Sequence, residues 1–353
     1  MSPPIRSICI LRLSAIGDVC NAVAAVQAIQ AQHPRATITW VIGKTEHTLL
    51  EGLPGIEFII YDKSAGKAAS TDFKHAMSKR QFDVLLHMQV ALRASLLSRH
   101  INAKRRIGFD RQRSKELQGW FVNERIAPRT NPHVLEGFFD FAQRLGVAEG
   151  AFRSPQWNIP ILEHDQTFAD QRLPAKTPAL VIVPAASKPE RNWLPERYAA
   201  LANAAHDRGL SIALCGGPSA LEKKLAAEIV SHTQVTIQNL VGQSNLKQML
   251  ALLKNASLVL APDTGPAHMA VSQKTPVIGL YGHSNPARTG PYLYQHYVAE
   301  VYHQHLKAQT GKPANEQSWG KRVKGETIMQ DLSVDAVLKR FHQACDDLNI
   351  GKA

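Results

Sequence analysis

The feature that most limits what this chain can fold into is the alternation of short runs rich in Ile, Val and Leu with longer segments of helical period. In the first half, strands are expected at "SICILRL", "ATITWVIG", "IEFIIYD", "FDVLLHM" and "RRIGF", with "GDVCNAVAAVQAIQAQH" as the crossover helix between the first two. The second half repeats the pattern with "ALVIVPA", "SIALCGG", "VTIQNLV", "SLVLAPD" and "TPVIGLYG", separated by helical stretches such as "LPERYAALANAAHDRG" and "SALEKKLAAEIVSH". Runs that stay apolar without alternating suit strands buried on both faces, which means parallel sheets covered by helices. The fold class is therefore α/β, with two Rossmann-like doubly wound units. A length of 353 residues, more than one compact core usually holds, agrees with two. Between them "EGAFRSPQWNIPILEHDQTFADQRLPAKTP" carries prolines and no sustained period, which sets the boundary near residue 155. The expected division is 1–155, 156–329 and a terminal segment 330–353, whose helix "SVDAVLKRFHQACDDL" starts at a Ser cap and packs back across the linker.

Two such units side by side would leave a cleft lined by the carboxyl ends of both sheets, so function belongs in the strand-to-helix loops. Four loops stand out. In "APDTGPAH", residues 261–268, Pro266 suits the first helical position, with Thr264 or Gly265 as cap, and the amides of residues 264 to 267 form a seat for an anion such as a diphosphate. Gly265 lets the backbone approach closely, and His268 lies within reach of the same ligand. Asp263 either caps the helix or accepts hydrogen bonds from sugar hydroxyls. The single "DTG" in an α/β pattern excludes an aspartic protease, which needs paired carboxylates. In "PAASKPERNWLPERYAAL", Ser187, Lys188 and Arg191 place a hydroxyl and two cations where a leaving phosphate could be clamped. "CGGPSALEKK" offers Glu222 to a ribose or base, or simply to its own helix dipole. In "RLSAIGDVCNAV", Gly17 permits a tight turn, and Asp18 either caps the helix or acts as a base toward an acceptor hydroxyl.

Charge narrows the partners. With 41 Lys and Arg against 29 Asp and Glu, a net +12 implies an acidic partner. The cations come in small groups such as Lys104, Arg105, Arg106 and Arg111, Arg113, Lys115, with no aromatic platform among them and no nucleic-acid motif, so a nucleic-acid binder is the alternative from another class. Neither half contains GxGxxG, which disfavours a dinucleotide dehydrogenase. Cys9, Cys20, Cys215 and Cys345 are scattered without ligand spacing and read as buried reduced thiols of a cytoplasmic protein. Arg12 and Asp18 break the N-terminal apolar run before it could serve as a signal peptide, and no uninterrupted apolar stretch approaches a membrane span.

"ILRLSAIGDVCNAVAAVQAI" followed by "NASLVLAPDTGPAHMAVSQKTPVIGLYG" resembles the ADP-heptose:lipopolysaccharide heptosyltransferases, glycosyltransferase family 9, and "FDVLLHMQVALRAS" and "NPHVLEGFFDFAQRLGV" extend the likeness over nearly the whole chain. The resemblance implies a GT-B arrangement, inversion at the anomeric centre, and no metal or other cofactor; the sequence has no DxD motif. It implies that Asp18 is the general base, that Ser187, Arg191, Glu222, Asp263, Thr264, Gly265 and His268 bind the ADP-heptose donor, to which the loop reading adds Lys188, and that no nucleic acid is bound. An acceptor built on phosphorylated Kdo and lipid A, anionic and held in the inner leaflet, gives Arg93, Lys104, Arg111 and Lys115 a role in gripping it and implies peripheral contact with the inner membrane. The same family chemistry could serve another sugar, or a protein or capsular acceptor. Three departures stand out: Arg191 replaces a lysine, "HMQVALR" replaces a strand end that usually carries an acid, and His283 in "YGHSNPARTGPY" stands where many relatives have proline.

Overall fold

The computed structural model describes residues 4–351, which form two compact units, up to Pro160 and from Ile161 onward. The remaining terminal residues of the first and last expected segments lie outside the described residues.

The first unit runs β1 (Ser7–Leu11), α1 (Ile16–Gln32), β2 (Thr37–Gly43), α2 (Lys44–Leu50), β3 (Ile56–Tyr61), α3 (Lys67–Met77), β4 (Gln81–His87), α4 (Leu92–Ser98), β5 (Asn102–Gly108), β6 (Glu124–Arg125) and α5 (Val134–Gln143). Its sheet is parallel, in the order β3-β2-β1-β4-β5-β6. The central strand β1 is buried from Ile8 to Leu11, as a strand flanked on both sides and covered on both faces must be. Helix α1 buries small residues, among them Ala22, Ala24 and Ala25, and packs against α5, which brings Phe138, Phe139 and Phe141. Small side chains on one helix admit large ones on the other, which fills the interface without strain. The segment after α5 lies along α1: Trp157 Nε1 donates to Cys20 O at 2.9 Å and Asn158 N to Gln27 Oε1 at 3.0 Å.

The second unit runs α6 (Glu163–Arg172), β7 (Ala179–Ile182), α7 (Pro195–Asp207), β8 (Ser211–Leu214), α8 (Ala220–His232), β9 (Ile237–Asn239), α9 (Leu246–Asn255), β10 (Leu258–Pro262), α10 (Gly265–Ser272), β11 (Val277–Tyr281), α11 (Pro286–Thr289), β12 (Ala299–Glu300), α12 (Tyr302–Thr310) and α13 (Val334–Leu348). Its strand order, β12-β11-β10-β7-β8-β9, has the same topology as the first sheet. In both sheets the order reverses at the middle pair, β1/β4 and β7/β10, where doubly wound folds bind ligands beyond the carboxyl ends. Helix α13 starts at the expected Ser333 cap, whose hydroxyl accepts from Ala336 N at 3.2 Å, and packs on α7 and β11.

The ten expected strands are all present. The two edge strands β6 and β12, of two residues each, were not anticipated, because so short a run leaves no period to read. "VTIQNLV" yields only the three residues of β9 at the opposite edge.

Candidate active site

In the first unit the site grows from the loop between β1 and α1. Arg12 N donates to Val41 O at 3.2 Å, Trp40 Nε1 donates to Arg12 O at 3.1 Å, and Gly43 N donates to Leu13 O at 2.9 Å. A Cβ on Gly43 would lie 2.5 Å from Leu13 O, so only glycine lets β2 approach this loop. From the other side Gln89 Oε1 accepts from Leu13 N at 2.7 Å. Gln89 is held in turn by the fully buried Gln118, whose Nε2 donates to Gln89 O at 3.1 Å and to His87 O at 2.9 Å.

Asp18 is the third residue of α1, inside the helix and not its cap, where a carboxylate is favoured by the helix dipole. It forms an ion pair with Arg12. Arg12 is buried, donates from Nη1 to Met88 O at 2.7 Å, and stacks 5.4 Å from the centre of the Phe138 ring. The carboxylate, a third of it open to solvent, is therefore aimed by a guanidinium that packing has already fixed. The sequence reading missed Arg12 as Asp18's partner. The available signal was a cation just past a buried central strand, a position that needs a partner.

The four cations assigned to the acceptor do not share one place. Arg93 is exposed on α4, and Arg111 and Lys115 are exposed in the loop after β5, all beyond the carboxyl ends of their strands. Lys104 lies early in β5 and pairs at 3.2 Å with Asp83, which also accepts from Arg6 N at 2.9 Å at the amino end of the sheet. Its neighbours are likewise engaged. Arg105 makes a two-pronged contact with Glu124 at 2.7 and 2.9 Å, and Arg106 donates to the carbonyls of Ser98, Ile101 and Phe121.

In the second unit, loops after adjacent strands β7 and β10 bring Arg191 and Asp263 together. Arg191 Nη1 lies 3.8 Å from Asp263 Oδ2, with 12% and 17% of the two side chains exposed. A carboxylate beside an anion seat is thus offset by a guanidinium within Coulomb reach. Thr264 caps α10 without a side-chain hydrogen bond, and Gly265, not Pro266, is the first helical residue. The expected row of amides from 264 to 267 is shorter than anticipated: proline at 266 has no N–H, and Ala267 N donates to Thr264 O at 3.2 Å. That leaves the amides of Thr264 and Gly265 as the seat, with His268 buried in the next turn.

Ser187 and Lys188 are exposed on the β7 loop, and Lys188 lies 3.7 Å from Glu190. Glu190 is held below the usual carboxylate range by hydrogen bonding to its own backbone and by the charges of Lys188 and Arg191. Glu222, after β8, closes its own loop: Oε1 accepts from Gly217 N at 2.7 Å and Oε2 from Ser219 Oγ at 2.6 Å. After β11, His283 Nε2 donates to Gly325 O at 2.8 Å, which leaves Nδ1 as an acceptor; Nδ1 and the Ser284 hydroxyl are buried without a hydrogen-bond partner. Both border a small pocket shared with Arg191 and Asp263. Two orphaned polar groups beside that ion pair are what a site awaiting a polar ligand leaves behind. Tyr281 also lines the pocket; its hydroxyl donates to Thr289 O at 2.9 Å, and desolvation and the charge of Asp263 push it well above its usual range.

The profile of glycosyltransferase family 9 (heptosyltransferase) matches residues 70–319, well over half of the chain. The chain belongs to that family. Among curated proteins, this heptosyltransferase-family chain is 44% identical to the lipopolysaccharide core heptosyltransferase OpsX of Haemophilus influenzae, over 94% of its own length and 95% of that protein's. Lipopolysaccharide heptosyltransferase 2 of Salmonella typhimurium is 23% identical over 84% of this chain and 89% of its own. Among solved structures, the family 9 glycosyltransferase of Veillonella parvula aligns with a TM-score of 0.78 at 22% identity, covering 98% of this chain and 99% of that one. E. coli heptosyltransferase WaaC with ADP aligns with a TM-score of 0.74 at 20% identity, covering 96% and 99%. These likenesses fix the fold as that of the GT-B heptosyltransferases. Within the family profile fall every donor-loop residue discussed above and the α4 and β5 loops, while Asp18 and Arg12 lie before its start.

Proposed function

We propose that this heptosyltransferase moves heptose from ADP-heptose to an anionic lipopolysaccharide core acceptor at the cytoplasmic face of the inner membrane, with inversion and without a metal. The substrate assignment is carried by the 44% identity to OpsX, a lipopolysaccharide core heptosyltransferase, across almost the whole of both chains. The chemistry is supported by a fixed carboxylate in one unit and a cation-lined anion seat in the other.

In this reading Asp18 takes the proton of the acceptor hydroxyl as its oxygen attacks the anomeric carbon. The bond from that carbon to the diphosphate breaks, and ADP leaves with the electron pair. Arg191, Lys188, Ser187 and the amides of Thr264 and Gly265 meet the charge that builds on the diphosphate, which lowers the barrier because that charge is greater in the transition state than in the donor. His268 donates to the same group. Asp263 accepts from hydroxyls of the donor sugar, and Glu222, through lone pairs its loop leaves free, from the ribose. Arg93, Arg111 and Lys115 contact acidic groups of the acceptor.

Purified protein incubated with ADP-heptose and Kdo-lipid A, with ADP release followed and the product's anomeric configuration read by NMR, tests the reading. ADP release in the presence of EDTA and an inverted linkage are expected. Turnover with a different sugar nucleotide and none with ADP-heptose would refute it.

A further inference from the structure

We propose that the exposed face formed by α4 and the loop after β5 is a docking surface for an anionic lipid bilayer. Four of the chain's exposed large apolar side chains gather within this one stretch: Leu92, Leu96, Leu117 and Trp120, the last 83% exposed. Helix α4 buries Ala94, Ser95, Leu97 and Ser98, so Leu92 and Leu96, four residues apart, stand on its outer side with Arg93 and Arg99. The loop is tied to that helix, since Glu116 Oε2 accepts from Leu92 N at 2.6 Å. Trp120 borders two hollows. One, of about 370 Å³, is lined by Arg111, Lys115, Leu117 and Arg125; the other, of about 460 Å³, includes Arg99. The fold thus sets an aromatic ring among the basic groups, where the sequence had shown none.

An indole and three leucines flanked by arginines and a lysine match the boundary of a membrane, where apolar side chains enter the acyl edge and cations meet headgroup phosphates. The two other occupants fit less well. A second copy paired about a two-fold axis would set Arg93, Arg99, Arg111 and Lys115 against their own images, while the exposed Glu116 is already engaged and Asp110 is buried against Arg113. A nucleic acid would use the cations and Trp120 but gain nothing from exposed leucines.

Position supports the same occupant. Strands β4 and β5, whose carboxyl ends lead into α4 and the loop, lie on the same side of β1, whose carboxyl end leads to Asp18. Gln118, within the loop, holds Gln89, and Gln89 holds Leu13, next in sequence to the Arg12 that pairs with Asp18. A bilayer seated on this face would therefore present headgroup-level sugars at the edge of the sheet that carries the carboxylate. That consequence rests on the proposed transferase reading, whereas the membrane contact does not.

The test is sedimentation of the full chain with vesicles of phosphatidylglycerol and phosphatidylethanolamine, against vesicles of phosphatidylcholine alone, with no sugar nucleotide present. Binding to the anionic vesicles that weakens with salt, with a blue shift of tryptophan emission, is expected. Leu96→Ser combined with Trp120→Ser should reduce partitioning by about tenfold or more, and Arg99→Glu by at least about fivefold. The double variant should keep its melting temperature and its turnover on a short-chain, detergent-free acceptor. Partitioning unchanged in the double variant, equal binding to phosphatidylcholine, loss of a dimer in place of lost vesicle binding, or displacement from vesicles by an oligonucleotide would each overturn the proposal. Loss of turnover with intact vesicle binding in an Asp18 variant would leave this surface standing and bear only on the catalytic reading.

Discussion

Replacing Arg191 with alanine should weaken ADP binding more than the loss of one phosphate contact explains, because it also leaves Asp263 without its cation. A hydrogen bond to a charged group contributes about 1.5–3 kcal/mol. At a separation of 3.8 Å the two charges interact by about 4 kcal/mol at the screening typical of a protein surface, a gross figure reduced by desolvation and by their partial exposure. Once the guanidinium is gone, an incoming diphosphate meets a carboxylate that nothing offsets. A loss of roughly 3 kcal/mol, about 100-fold in affinity, is expected for Arg191→Ala. Asp263→Asn in the same background should restore part of it, since the repulsion disappears along with the charge. The double-mutant cycle, read by calorimetric titration with ADP, should therefore show a coupling of about 1 kcal/mol or more. Arg191→Lys should fall between, since an ammonium can keep the charge but not the planar reach toward both partners. Additive effects, with the double variant binding as weakly as the sum of the singles, would refute the account of Asp263 as a carboxylate tolerated only because Arg191 neutralises it.

Asp18→Asn should lower kcat by about 10²–10⁴ while leaving the ADP affinity unchanged, checked by steady-state rates alongside titration. His283→Ala should weaken binding of ADP-heptose more than of ADP if the orphaned Nδ1 faces the sugar, and equal loss for both ligands would remove that assignment. Burial and the charge of Arg106 lower His87 from 6.5 to about 3, so the folded chain holds it neutral while the unfolded chain takes up a proton. Stability is then fully present above about pH 6.5 and falls toward pH 3, by up to about 1.4 kcal/mol per unit, and His87→Gln should flatten urea-denaturation midpoints across that window. Trp157→Phe removes the 2.9 Å bond to Cys20 O and should cost about 1 kcal/mol in the same assay, more if the carbonyl stays buried and unpaired.

The parts of the fold that were legible in the sequence are those whose physics is local. Buried parallel strands such as "SLVLAP" announce themselves by apolar runs, and Ser333 by its cap chemistry, whereas Gly17, expected in a tight turn, is the second residue of α1. What could not be read depends on neighbours distant in sequence. Arg12 meets Met88 O only because β1 and β4 are paired, and Gln118 reaches Gln89 only across the β4 and β5 ends. Lys104 looked like part of a basic surface because counting cations ignores which end of a strand they occupy. One residue's position along β5 sends it to Asp83 at the amino edge while Arg111, seven residues on, reaches the carboxyl edge. The α10 terminus was misplaced by one residue because Pro266 is tolerated at the first or second helical position alike, its missing N–H being unneeded at both.

The two half-sites are assembled from separate hydrogen-bond systems, and this bears on how the enzyme's errors would show. Asp18 is aimed by Arg12, which is held by Met88 O and Phe138, all residues of the first unit. Arg191, Asp263 and His283 are held by the loops of the second. Each group is held by partners within its own unit, so a substitution that loosens one should leave the other's geometry in place. Arg12→Met should accordingly behave as a positioning change: it frees the carboxylate to turn, lowers kcat, and leaves ADP affinity at its original value. Arg12→Lys keeps a cation yet cannot reach Met88 O and Asp18 with one planar group, so it should recover little of the loss. Were lysine to restore full turnover, charge alone would account for Arg12, and the fixed fork described here would have no catalytic consequence.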